Sequence, residues 1–149
     1  MARRSGFTLI ELLVTIVILA IGLVALSTLF VAGIISDIKA ERISEASNRV
    51  RQELERLRSA GYSGALIDAD VFKPADGYAI IESHPDLTGR ASFTEPALPA
   101  SSGVVEIRYY DSGAGIYPNL KRVSATLSWG GGRRTQGAVY ASTLLANRP

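Results

Sequence analysis

The 149-residue chain contains no cysteine, which excludes disulfides and thiolate metal sites. Its single histidine, His84, sits beside Pro85 in a turn-rich stretch, where a surface residue is expected rather than a catalyst. No glycine-rich phosphate loop, nucleophile elbow or metal-spaced cluster occurs. Asp68-Ala69-Asp70 followed by Asp76-Gly77 offers carboxylates to calcium, but the spacing is not that of an EF-hand loop. The expectation is therefore no enzyme, no cofactor and no metal. Proline is absent before Pro74, and no charge occurs between Leu12 and Ser36. These last two absences leave the N-terminal third free to form one uninterrupted helix.

What fills that third is one apolar run, residues 6–35, with a single charge, Glu11, near its start. It exceeds the ~20 residues a helix needs to cross the hydrocarbon core. Arg3 and Arg4 precede it, so the positive-inside rule places the N-terminus in the cytoplasm and the rest of the chain outside. A secretory signal, cut at the small-residue site Ala20-Ile21-Gly22, is an alternative. It fits poorly, because a signal core spans about 7–15 residues and has no glutamate at its head. An uncleaved single-pass anchor is another alternative. A carboxylate in a membrane-spanning stretch costs roughly 2.5–3.5 kcal/mol at mid-helix and less near an end, and is a functional-site hypothesis by default. The competing reading is that Glu11 reaches the headgroups and does nothing more.

Gly6-Phe7-Thr8-Leu9-Ile10-Glu11 ahead of an apolar helix resembles the class III leader of type IV pilins and pseudopilins. The resemblance implies cleavage by a prepilin peptidase after Gly6 and N-methylation of Phe7. It also implies that Glu11 meets the free amine of a neighbouring subunit during assembly. Ser5 stands where many members carry a basic residue, with Arg3 and Arg4 slightly further back. The physics agrees with the assignment of Glu11. A cut before Phe7 creates an ammonium four residues from Glu11, about 6 Å along a helix axis. Pairing with its own or a neighbour's amine offsets the cost of a buried charge. The cut also removes two arginines, leaving 14 basic and 14 acidic residues. The precursor's basic balance is thus no argument for nucleic acid.

Residues 37–60 continue the helix. Ile38, Ile43, Ala46, Val50, Leu54 and Leu57 form one apolar stripe. Glu45/Arg49, Arg49/Glu53, Arg51/Glu55 and Glu55/Arg58 are expected as surface pairs worth ~0.2–0.5 kcal/mol each, and Gly61 as the C-terminal cap. A coiled-coil stalk is the alternative, but the stripe is short and ragged. Small residues, Ala20, Gly22, Ala25, Ser27, Ala32 and Gly33, allow close helix approach in lipid, and Gly22 is the expected weak point of the helix. The boundaries read as a leader at 1–6, an assembly helix at 7–36, an amphipathic helix at 37–60 and a head at 61–149.

The head reads as a loop at 62–76, strands at 78–82, 104–110, 120–129 and 136–145, and a turn-rich segment from His84 to Gly103. A reversal is expected at Gly130-Gly131-Gly132. The fold class is α+β, a long N-terminal helix on three or four antiparallel strands with one face for the helix. The C-terminal segment from Lys121 to Leu145 looks like the last hairpin of PilV-like minor pilins. Residues 61–120 hold eight acidic and three basic residues, whereas residues 121–149 hold Lys121, Arg122, Arg133, Arg134 and Arg148 and no acid. The readings are two solvated sheet faces, complementary subunit contacts, or a basic tip for nucleic acid.

The resemblance implies a minor pilin of a type IV pilus-like fibre, since many major pilins close a loop with a cysteine pair and this chain cannot. The alternatives are a minor pseudopilin of a type II secretion system and an uncleaved membrane-anchored binding module. Its implied partners are other pilin or pseudopilin subunits, the prepilin peptidase, an inner-membrane assembly platform and the bilayer, with nucleic acid less favoured. The implied location is the bacterial inner membrane as a precursor, then a fibre.

Overall fold

The computed structural model describes residues 8–130 and 136–147. Helix α1 spans Leu9–Gly64, and the chain divides into two units, Met1–Ile38 and Lys39–Pro149. In the first unit α1 is regular throughout its described length. The only non-helical backbone inside α1 lies at Gly61, so Gly22 and Gly33 stay helical. Large apolar side chains from Leu9 to Ile34 are 51–79% exposed. The segment is long and apolar enough to cross a bilayer. Its hydroxyls are satisfied within the helix. Thr15 Oγ1 donates to the Glu11 carbonyl at 2.7 Å, Ser27 Oγ to Leu23 at 2.8 Å and Thr28 Oγ1 to Ala25 at 2.7 Å. Back-bonding of this kind keeps a polar side chain from standing unpaired in lipid.

In the second unit α1 packs on a five-stranded antiparallel sheet of order β1-β2-β3-β4-β5, with strands Ala79–Ser83, Gly89–Phe93, Ser102–Asp111, Ile116–Trp129 and Gly137–Ala146. The α+β class is as expected, with five strands where three or four were expected. The extra strand, β2, lies in the turn-rich segment. It carries no run of β-branched residues, and β1 and β3 hold it by pairing on both sides. Gly89, at its start, has φ 148° and passes close to the Glu82 carbonyl, leaving no room for a side chain. Strand β4 starts at Ile116 rather than Leu120. Between Lys121, opposite Tyr109, and Tyr117, opposite Tyr110, the register shifts, which lets Pro118 sit in a strand without breaking the ladder. The helix breaks at Gly61 (φ 72°, ψ −174°), as its sequence position suggested, but one more turn follows to Gly64. The Gly130–Gly132 reversal lies mostly outside the described residues; β4 and β5 do pair antiparallel from Trp129↔Gly137 onward.

The core lies between α1 and one sheet face. Ala46, Val50 and Leu57 come from the helix, Ile67 and Phe72 from the segment after it, and Val105, Ile107, Val123, Ala125, Leu127 and Trp129 from inward strand positions. The period-two pattern expected of β4 is therefore realised. The helical stripe is realised only in part. Ile38 and Ile43 are 36% and 41% exposed, and Leu54 is half-buried. Between Val50 and Leu57 the buried position is occupied by Glu53, which the sequence suggested for the surface.

Candidate functional site

Thr8 and Glu11 open α1. Thr8 Oγ1 accepts from the Glu11 N–H at 3.4 Å, and the Thr8 carbonyl accepts from Glu11 N–H at 3.1 Å and Leu12 N–H at 3.2 Å. This Thr-x-x-Glu spacing is that of a capping box. Its threonine half is formed, a local role for Thr8 that sequence reading missed although the letters were there. The carboxylate lies in the first helical turn, where the helix dipole favours a negative charge. It is exposed, on a helix that is apolar and exposed all round. Among the described residues no hydrogen bond or ion pair engages its carboxylate, so a cation brought to this point meets an accessible anion. Gly6 and Phe7 lie outside the described residues.

The head has its own buried polar centre. Glu53 is 1% exposed. Its Oε1 accepts from the Tyr78 hydroxyl at 2.6 Å and pairs with Arg49 Nη2 at 2.9 Å, while Oε2 faces Arg56 Nη2 at 3.1 Å. Arg49 also reaches Glu95 at 3.4 Å and lies 5.4 Å over the Phe93 ring. Arg56 donates to the Val71 carbonyl at 2.9 Å and lies 4.9 Å over the Phe72 and Tyr78 rings. Glu53 and the two arginines it holds thus tie the helix to three other segments, at Val71, Tyr78 and Glu95. Arg49 Nε and Arg56 Nη2 are within ion-pair distance of carboxylates but lack hydrogen-bond geometry. Burial raises the Tyr78 pKa, helped by the hydrogen bond to Glu53 and its charge and opposed by the two arginines.

Lys121 corrects a second expectation. It belongs to the basic C-terminal group, yet it is 3% exposed. Its Nζ donates to the carbonyls of Tyr62 at 3.3 Å and Ala65 at 3.2 Å and lies 4.7 Å over the Tyr62 ring. The Tyr62 hydroxyl in turn donates to the Pro118 carbonyl. A cation at the last carbonyls of a helix suits the dipole, while burial lowers the Lys121 pKa against the smaller opposing pull of Asp86. Arg133, Arg134 and Arg148 lie outside the described residues. Of the surface pairs expected on α1, Glu55/Arg58 forms at 3.8 Å and Arg49/Glu53 at 2.9 Å, the second in the interior. His84 is half exposed and 3.1 Å from Glu82. Asp68 Oδ1 accepts from the Asp70 N–H at 3.1 Å in a local turn.

A family model, the prokaryotic N-terminal methylation motif, matches residues 1–27. The chain opens with a methylation motif. The match covers Gly6, Phe7 and Glu11 together with the first half of the apolar helix, and it supports a precursor of the type IV pilin type. No curated protein and no solved structure matches the chain. The motif and the head therefore rest on different grounds, the first on a family model and the second on its own geometry.

Proposed function

We propose that the chain is a structural subunit of a type IV pilus-like fibre, of the minor class. It is cut by a prepilin peptidase after Gly6, N-methylated on Phe7 and assembled through its N-terminal helix. The observation that carries this reading is the methylation motif at residues 1–27 leading into a fully exposed apolar helix with Glu11 in its first turn. The helix serves as anchor while the subunit waits in the membrane and as cohesive surface in the fibre. Dispersion and close packing with neighbouring helices replace contacts with lipid tails. Glu11 supplies register, because pairing with a neighbour's terminal ammonium offsets the cost of burying its carboxylate among helices. The chain performs no catalysis; the bond-breaking is done to it. Its partners are other pilin-type subunits, the peptidase and the inner-membrane assembly platform.

Intact mass and N-terminal peptide analysis of the protein from its native host tests the reading. A chain starting at Phe7 with one added methyl group is expected. A chain still starting at Met1 or Ala2 beside an active prepilin peptidase makes it an uncleaved anchor, and a cut near Gly22 makes it a secreted protein. The same design serves secretion pistons. A deletion strain scored for fibre-dependent motility, exoprotein release and DNA uptake assigns the machine.

A further inference from the structure

The two edges of the sheet differ. Strand β5 is ten residues long, pairs with β4 in unbroken register and contains no proline and no charged side chain. Its other edge has no strand partner among the described residues. Natural sheets usually protect such an edge with charge, proline, a bulge or a covering element. Here β5 exposes Tyr140 and Leu144, and a groove of about 410 Å³ runs beside it, walled by Val50 and Leu54 of α1 and by Val139, Ala141 and Thr143. Strand β1 has five residues and a register shift between Ile80 and Glu82, and it leaves Ile80 and Ile81 exposed.

Charge separates the edges as well. Arg51 and Arg58 line the β5 groove with Glu55, which Arg58 faces at 3.8 Å, and Arg122 stands opposite Leu144 on the adjacent strand, so positive charge is in excess there. Along the chain before, within and after β1 come five carboxylates, Asp68, Asp70, Asp76, Glu82 and Asp86, against Lys73 and His84. The bonds from Ile67 N–H to the Leu87 carbonyl and from Ser83 Oγ to the Ile67 carbonyl hold the Asp68 segment beside β1. Arg90 is engaged with Glu82, which leaves that edge acidic.

We propose that the sheet edges of successive copies meet, β5 of one copy lying against β1 of the next. The inference rests on the fibre-subunit reading. The strands alternate in direction across the sheet, so β1 and β5 run the same way. A neighbour in the same orientation therefore brings them together in parallel. The contact is heterologous and leaves a free edge at each end, so it repeats along an open array instead of closing. Ile80 and Ile81 approach the apolar part of the groove, at Val50, Leu54, Val139 and Ala141, while the arginines meet the carboxylates. Opposite charge selects this pairing over β5 with β5, which would bring the same arginines together.

The absence of cysteine allows a direct test with the full-length chain in its native membrane. Ser142→Cys on β5 and Ile81→Cys on β1 are placed in two copies of distinguishable mass and treated with a short thiol–thiol cross-linker. Membranes and sheared fibres are read separately. The expected result is a mixed dimer only when both variants are present, and a ladder beyond dimer when one chain carries both cysteines. Replacing Arg58 and Arg122 by glutamate should lower the yield by at least about threefold, and Asp70→Lys with Asp76→Lys in the partner copy should restore it. Cross-linking by Ser142→Cys alone, or no cross-link in either fraction, overturns the proposal. A chain that never enters sheared fibres refutes the fibre reading whatever the cross-linking shows, and a fibre without the cross-link refutes only the edge contact.

Discussion

The two stretches of α1 solve opposite problems with the same backbone. From Leu9 to Ile34 the helix hides almost nothing and exposes its apolar side chains. From Ala46 to Leu57 it buries one face, and the deepest part of that face holds a carboxylate. The outer stretch, residues 9–34, is exposed all round, and its one charge, Glu11, is accessible, as the proposed assembly role requires. The inner stretch has its partners within the head, so its charge, Glu53, is enclosed by Arg49, Arg56 and Tyr78. A glutamate on a helix has no fixed meaning. Its surroundings decide whether it recruits a neighbour or fixes an interior.

Substitutions at the two glutamates should separate these roles. Glu11→Ala is expected to leave cleavage at Gly6 intact and to lower incorporation into sheared fibres at least about tenfold, equivalent to ~1.4 kcal/mol, with the head's melting temperature unchanged. Normal incorporation would remove the role given to the carboxylate. Glu53→Ala should do the reverse. It leaves Arg56 over aromatic rings with no carboxylate and Arg49 with Glu95 alone, and should cost about 3–5 kcal/mol, lowering the melting temperature of the detergent-solubilised chain by more than ~10 °C. Gly61→Ala is expected to be milder, about 1–3 kcal/mol, because its φ and ψ lie in a region essentially confined to glycine although open space surrounds it. Tyr78→Phe should be comparable to Gly61→Ala, about 1.5–3 kcal/mol below neutral pH for a hydrogen bond to a charged group, shrinking in alkali. The sign follows from the raised pKa. The folded state keeps the phenol protonated where the unfolded chain has released the proton. The stability is fully present below the ordinary tyrosine value and is lost as pH rises through the folded one. Denaturant midpoints of both proteins across the alkaline limb would converge; parallel curves would contradict the assignment.

The sequence made the outer stretch legible almost completely, because an apolar run without proline has few options and its leader is specific. The positions of β3 and β5, and the inward row Val123, Ala125, Leu127 and Trp129 on β4, were legible for a related reason: alternation leaves a residue-level trace. Strand β2 left none. Gly89 to Phe93 is short, lies between prolines and owes its conformation to flanking strands. Glu53 and Lys121 were misplaced because charged residues are rarely enclosed. Arg49 and Arg56 are local partners of Glu53, but what encloses it is Tyr78, 25 positions away, and Lys121 meets carbonyls 56 to 59 positions away, which no local window connects. Thr8 could have been found by its spacing from Glu11.

Lys121 has a practical consequence. The chain has three lysines, Lys39, Lys73 and Lys121, and only Lys121 is closed off from solvent. Acylating reagents applied to intact cells should therefore mark the first two and pass over the third. A peptide carrying the modification at Lys121 would then report that its chain had come apart between the end of α1 and β4. The amine that fastens the head also records, one molecule at a time, whether the fastening held.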